Sequence, residues 1–218
     1  MAEDEEQQQQ KQTGQLPSAF SPARLEAFSD GVMAVIITIM VLEIASPGGG
    51  GIGDLLPLIP HLLIYLLSFV FIGIYWNNHH HMLRATRQID GAVMWANLHL
   101  LFWLSLVPIA TKWSGENHTS VAPAVAYGAV GLLAAIAYVI LERFIIRANR
   151  GTDIERALAD SFKDRISLLI YILGMALAFI QIPQVGPILS YLAYASVAVI
   201  WFIPDRRFTK PSNRDISE

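Results

Sequence analysis

Residues 24–45, RLEAFSDGVMAVIITIMVLEIA, form the stretch that decides the fold. Its uncharged run, Gly31–Leu42, would make a helix of about 18 Å, which is too short to cross ~30 Å of hydrocarbon. A helix that covers the whole of residues 24–45 is about 33 Å long and can cross. A spanning helix must therefore carry charged residues at or near membrane depth. They are Arg24, Glu26, Asp30 and Glu43.

The composition of the whole chain indicates a membrane protein. Of 218 residues, 54% are hydrophobic, 15% are charged and none is cysteine, and the mean hydropathy is +0.45. Soluble domains average about 45–50% apolar and about 25% charged residues. The apolar residues suffice for about six crossings of roughly 20 residues each. This composition excludes a soluble enzyme, a disulfide-stapled secreted domain and a nucleic-acid-binding protein.

Charged and turn-forming residues divide the chain into six predicted membrane spans. The last uncharged stretch, Ile166–Pro204, would be about 58 Å long as one helix, so we divide it into a hairpin at Gln181–Pro187. We predict an all-α polytopic membrane protein with a disordered tail at residues 1–21, a transmembrane domain at 22–204 and a C-terminal tail at 205–218. The predicted spans are about 24–45, 55–80, 91–112, 121–146, 163–182 and 187–204.

The distribution of Lys and Arg predicts the orientation of the chain in the membrane. With six spans, every Lys and Arg except Lys112 lies in a terminal segment, in the loop after span two or in the loop after span four. Basic residues are retained on the cytoplasmic side. We therefore expect both termini to be cytoplasmic.

The start of span one is a candidate functional region, because ionisable residues near membrane depth are costly unless they are paired. Asp30 and Glu26 are like charges four residues apart, and Arg24 points about 240° away from Asp30 around the helix. We expect Asp30 to be satisfied from span two. The candidate partners there are Trp76, Asn77, Asn78, His79, His80 and His81. Such a cluster could be a clamp between helices or a relay for protons or ions.

No metal site, cofactor or enzyme activity is predicted. His79 and His80 point in different directions, whereas metal ligands must converge, and the chain contains no Cys and no H-E-x-x-H motif. It also has no nucleophile–base constellation and no glycine loop of the phosphate-binding type. These absences argue against a membrane enzyme.

The motif R-x-x-x-F-S-D, formed by Arg24, Phe28, Ser29 and Asp30, resembles the signature of the transmembrane protein 175 family of potassium channels. Residues 76–80, Asn97 and Pro108 are also similar to the second and third helices of that family. The resemblance implies a single six-span repeat that assembles as a homotetramer, in the inner (plasma) membrane of a prokaryote. It further implies a potassium-selective pore without a P-loop filter, with K⁺ as permeant ion and no cofactor.

In that family, the first helix of each subunit lines the pore, which places Val35, Thr38, Ile39 and Leu42 at the axis. These four residues fall within an arc of about 100° on a helix. The resemblance implies that Val35, Ile39 and Leu42 form apolar constrictions, a hydrophobic gate, and that Thr38 contributes to ion selectivity. From the residues alone, the same stripe is also compatible with ordinary helix packing.

A proton-coupled transporter of a small solute or ion is the alternative function, with Asp30 and the histidines of span two as the relay. Carriers commonly have broken helices that form a site at the midplane of the membrane. Spans one to four contain no central Pro-Gly break, which favours the channel. Saturable uptake that is driven by a gradient and abolished by Asp30→Asn would favour the carrier.

Overall fold

The computed structural model describes residues 21–151, 162–182 and 184–202, so the tail predicted at 205–218 and all but the last residue of the tail predicted at 1–21 lie outside the described residues. Within the described residues, all regular secondary structure is helical, as predicted. The elements are α1 (Pro22–Leu42), a 3-10 helix (Ile52–Leu58), α2 (Ile59–Ala85), α3 (Gly91–Ser105), α4 (Val107–Glu116), α5 (Val121–Ala148), α6 (Phe162–Leu177) and α7 (Val185–Phe202).

Local sequence sets both ends of α1. Ser21 is the N-cap, with its side chain accepting a hydrogen bond from the backbone N–H of Arg24, and Pro22 occupies the first turn, where its missing N–H is not needed. The helix ends at Leu42, three residues before the predicted end, and the segment after it contains Pro47 and a run of glycines. The 21 residues of α1 span about 32 Å.

The described helices follow the six predicted spans in order. Four stretches are long and apolar enough to cross a membrane: Pro22–Leu42, Ile52–Ala85, Gly91–Glu116 and Val121–Ala148. The two helices at the positions predicted for spans five and six are shorter, with 16 residues in α6 and 18 in α7. Large apolar side chains such as Leu169, Phe179 and Val199 are exposed, which is unusual in water and expected on a surface that faces lipid.

Span three is interrupted, although it contains no Pro-Gly pair. Helix α3 ends at Ser105 and α4 starts at Val107. Pro108 has no N–H to donate to the carbonyl of Leu104, so the regular hydrogen-bond ladder cannot pass this point. The ladder resumes when Ala110 N donates to Leu106 O at 3.1 Å. The interruption is therefore a proline kink within the third span.

The interior consists of two apolar clusters that share α2 and α5. The first cluster joins α1, α2, α3 and α5 and includes Met33, Ile72, Leu100 and Leu141. The second joins α2, α4, α5, α6 and α7 around three tyrosines, Tyr127, Tyr171 and Tyr194. Small residues of α5 allow these helices to approach closely. They include Gly128, Gly131, Ala134 and Ala137.

The α6–α7 hairpin, predicted from its turn residues, depends on a close backbone approach at Gly186. A Cβ atom at this position would lie 2.8–2.9 Å from the backbone oxygens of Leu177, Ala178 and Ile180. Real Cβ atoms do not approach backbone oxygens this closely. Glycine is therefore required here to hold the start of α7 against the end of α6.

We predict that Gly186→Ala destabilises the protein by about 1–3 kcal/mol, because backbone atoms cannot move aside as easily as a side chain can. The measurement is thermal unfolding in detergent. Gly73→Ala is the matched control, since nothing lies within 4 Å of a Cβ atom there and Gly73 lies inside α2. The control should unfold at the same or a higher temperature. Equal destabilisation by both variants would contradict this account of the hairpin.

Candidate functional site

The motif residue Ser29 belongs to a buried hydrogen-bond chain that joins three helices. Asn97 Nδ2 of α3 donates to Ser29 Oγ of α1 at 2.9 Å, and His79 Nε2 of α2 lies 2.7 Å from Asn97 Oδ1. All three side chains are fully buried. These hydrogen bonds therefore fix the positions of α1, α2 and α3 relative to one another.

The direction of each bond in this chain follows from its start. Ser29 Oγ donates its only hydrogen to the carbonyl of Leu25 at 2.8 Å, so it accepts from the amide of Asn97. The amide oxygen of Asn97 then faces His79, and His79 must donate from Nε2. A neutral imidazole with its hydrogen on Nε2 fits this arrangement, which leaves His79 Nδ1 buried without a partner.

A second group of polar side chains joins α1 to α2 on a different face of α1 from Ser29. Glu26 Oε1 is 2.6 Å from His80 Nδ1, and the ring of Trp76 stacks on that of His80 with centroids 5.9 Å apart. Asp30 belongs to the same group, and its Oδ1 is buried without a hydrogen-bond partner. The structure thus brings Asp30 close to His80 of α2, but Asp30 Oδ1 accepts no hydrogen bond from that helix, and His79 bonds to Asn97 instead.

Three of the predicted motif residues lie apart from this contact. Arg24 and Phe28 are exposed on α1, and both border a cavity between α1 and α3. Asn78 donates to the carbonyl of Ile74 in its own helix at 2.8 Å and does not reach α1. Asn78, His79 and His80 have different partners because successive residues of a helix are rotated by 100° about its axis.

The predicted pore residues occupy the side of α1 that faces away from its own bundle. Val35, Ile39 and Leu42 are 54%, 42% and 80% exposed, and Thr38 is exposed as well. The opposite side of α1 is buried against α2, α3 and α4. Its buried residues are Ser29, Met33, Ile36 and Met40. The four stripe residues therefore have no packing role within the chain's own core.

Sequence reasoning missed two buried polar contacts that hold the bundle. In one, Ser68 of α2 lies 2.7 Å from Thr111 of α4 and 2.9 Å from the hydroxyl of Tyr127 of α5. In the other, Asn149 at the end of α5 accepts from the backbone N–H groups of Arg87 and Gln88 at 3.0 and 2.9 Å. Neither contact has a local motif, because the bonded partners are 43 to 62 residues apart along the chain.

An ion pair lies at the C-terminal end of α1. Lys112 of α4 binds the carboxylate of Glu43, the residue that follows the last turn of α1. Lys112 is the one basic residue that the sequence predicts on the outer side. Both side chains are partly exposed, so the contact contributes little to stability on its own.

The fold and these contacts define a polytopic α-helical membrane protein whose first helix is held by buried polar bonds on one side and exposes an apolar stripe on the other. The family model described as endosomal/lysosomal potassium channel TMEM175 matches residues 24–108. This segment includes the motif, both of its partner helices and Pro108.

The chain is similar to a potassium channel of Chryseobacterium sp. (strain P1-3), with 48% identity over 86% of this chain and 95% of the relative. It is 31% identical to a potassium channel of Streptomyces collinus over 87% of this chain and 98% of the relative. The crystal structure of a lysosomal potassium-selective channel TMEM175 homolog from Chamaesiphon minutus superposes with a TM-score of 0.72 at 28% identity, over 86% of this chain and 98% of that one.

The chain therefore belongs to the TMEM175 family, as the motif predicts. The family and the matched relatives are ion channels and not enzymes, in agreement with the prediction from sequence.

We predict that Asn97→Ala lowers the free energy of unfolding by about 2–4 kcal/mol, because Ser29 and His79 each lose a partner and a buried unsatisfied group costs about 1–3 kcal/mol. The measurement is thermal unfolding in detergent. Asn78→Ala is the control, since Asn78 bonds only within its own helix, and we expect a change below about 1 kcal/mol. Similar losses in the two variants would contradict a special role of the buried chain.

Proposed function

We propose that the protein is a potassium-selective channel formed by four copies of the chain, with α1 of each copy around a central pore. The observation that carries this proposal is that α1 is buried on one side only. Its other side exposes Val35, Thr38, Ile39 and Leu42. Apolar residues exposed on the inner helix of an oligomer meet other copies of themselves across the symmetry axis. The names and the fold of the relatives support K⁺ as the permeant ion.

Four copies of α1 would form alternating rings without a carbonyl filter loop. Rings of Val35, Ile39 and Leu42 provide apolar constrictions that close a pore by excluding water. Thr38 provides a ring of hydroxyls, and its Oγ1 lies 2.9 Å from the carbonyl of Val35 and 3.2 Å from that of Ala34. Because the hydroxyl hydrogen is directed to its own helix, the oxygen lone pairs can face a cation.

A groove beside the stripe supports assembly of further copies of the chain. The groove lies between α1 and α4, has a volume of about 900 Å³ and is mostly apolar. It runs from Phe28 past Val35 to Glu43, so it borders the proposed pore-lining face along its length. A second copy of the chain is the occupant that we assign to it, because the groove is continuous with the surface that would surround the symmetry axis.

We place both termini on the cytoplasmic side of a prokaryotic plasma membrane. The bonds of Asn149 to the backbone after Arg87 bring the loop after α2 and the end of α5 together. Basic residues cluster at both of these places, including Arg84, Arg87 and Arg147, and basic clusters favour the cytoplasmic side. K⁺ is the ion that we expect to pass through the pore, and permeation requires no cofactor.

We predict that Leu42→Ala raises K⁺ flux into liposomes by about tenfold, which corresponds to a barrier lowered by roughly 1.4 kcal/mol, because the smaller side chain widens an apolar constriction. Thr38→Ala should lower the K⁺/Na⁺ flux ratio, because the hydroxyl ring is lost. Leu169→Ala is the control, since Leu169 is similarly exposed but lies on α6.

The control should conduct as the unmodified protein does. The pore assignment would be wrong if no K⁺ flux is seen, or if Leu42→Ala and Thr38→Ala both behave like Leu169→Ala. Uptake that saturates, follows a proton gradient and is abolished by Asp30→Asn would support the carrier.

A second prediction uses the absence of cysteine from the chain, which makes any introduced thiol unique. Leu42→Cys, treated with a short bis-maleimide in detergent, should give covalent dimers on a denaturing gel, because one thiol per subunit can join only two neighbours. Leu169→Cys should remain monomeric, since α6 lies away from the axis. Dimers in equal yield from both variants, or from neither, would contradict the placement of α1 at the axis.

A further inference from the structure

Three potential metal ligands converge where α1 meets α2. Glu26, Asp30 and His80 each offer one ligand atom, and these atoms all lie within 4.8 Å of one another. The three side chains are half-buried, and they come from two different helices. The proposed pore-lining face plays no part in this cluster, because its residues begin one turn further along α1.

Two polar atoms of the cluster lack a hydrogen-bond partner. Asp30 Oδ1 is buried and has no hydrogen-bond partner. His80 Nδ1 lies 2.6 Å from Glu26 Oε1, yet it is buried and makes no aligned hydrogen bond. Two carboxylates and one imidazole facing a common point need positive charge between them, because buried like charges repel each other and unpaired buried acceptors are costly.

The ligand set selects the kind of cation. An imidazole nitrogen suits Zn²⁺ and its first-row neighbours, whereas Mg²⁺ and Ca²⁺ prefer oxygen ligands alone. Metal–ligand bonds of about 2.0–2.2 Å in a tetrahedral site place the ligand atoms roughly 3.4 Å from one another, so the present separations of up to 4.8 Å would adjust when an ion binds. The partial exposure of Glu26 and His80 leaves room for water as a fourth ligand.

Two neighbours control how His80 can bind. Stacking on Trp76 holds the plane of the imidazole. Arg84 Nη1 lies 3.5 Å from His80 Nε2, and a guanidinium can only donate, so this contact favours the hydrogen on Nδ1. A metal on Nδ1 requires the opposite tautomer. Arg84 therefore opposes metal binding through both its hydrogen bond and its positive charge, and its exposure allows it to swing into solvent.

We propose that Glu26, Asp30 and His80 bind a divalent first-row transition metal ion, with Zn²⁺ as the reference ion. This departs from the prediction from sequence, which assigned no metal, because only one histidine of the run takes part and the other ligands come from the motif helix. The bound ion would join α1 directly to α2. An effect of Zn²⁺ on ion flux follows only if the proposed function is correct, whereas the binding itself does not depend on it.

The test is Zn²⁺ titration of the full-length, tag-free protein in detergent by calorimetry, with Co²⁺ absorption in the visible region as a second readout of the ligand set. We expect saturable binding of one ion per chain. Glu26→Gln, Asp30→Asn and His80→Gln should each weaken it by at least about 10-fold, the lower end of the loss seen when groups around a metal are removed. Arg84→Gln should strengthen it. Mg²⁺ should not compete.

His81→Gln and His118→Gln are the matched controls, since neither residue belongs to the cluster, and both should bind Zn²⁺ as the unmodified chain does. The elution volume of each variant on size exclusion shows whether it is folded. The proposal is overturned by an absence of saturable binding, by equal losses in His80→Gln and His81→Gln, which would indicate an adventitious ion only, or by weaker binding in Arg84→Gln. Because none of these measurements uses ion flux, they are independent of the test of the channel.

Discussion

The buried bonds from His79 to Asn97 and from Asn97 to Ser29 determine which side of α1 faces its own bundle. In a membrane, apolar side chains do not distinguish a neighbouring helix from lipid, so hydrogen bonds and close packing have to orient a helix. An apolar helix such as α1 has little preference of its own. With Ser29 turned inwards, geometry alone turns Val35 and Leu42 outwards, and the surface that we propose for assembly depends on that rotation.

An all-helical membrane protein and the exposed stripe on α1 could be predicted, because the first follows from the lengths of the apolar runs and the second from spacing along one helix. Length and charge locate the spans, and the 100° step per residue places Val35, Thr38, Ile39 and Leu42 on one side. The partner of each motif residue could not be predicted in the same way. Whether His79 or His80 meets Asp30 depends on the rotation of α2 against α1, and this rotation is set by Asn97, 18 residues further along the chain.

Other parts of the site were beyond prediction for the same reason. The interactions of Ser68 with Thr111 and Tyr127 join three helices and leave no spacing pattern in the sequence. The kink in span three was missed because only a Pro-Gly pair was considered as a break. Pro108 alone is sufficient, since the missing N–H of a proline interrupts the ladder in the interior of a helix.

The contacts that hold α1 against its neighbouring helices differ in kind along the helix. Near its first turns, directional hydrogen bonds at Ser29 hold the helix to its neighbours. Further along, the buried contacts are made by Met33, Ile36 and Met40, and methionine side chains are flexible and adapt to changes in their surroundings. A change in the tilt of α1 can therefore be absorbed by rearranging thioethers, while the hydrogen bonds at Ser29 stay intact. Ser29 is thus the position about which any tilt of α1 would pivot.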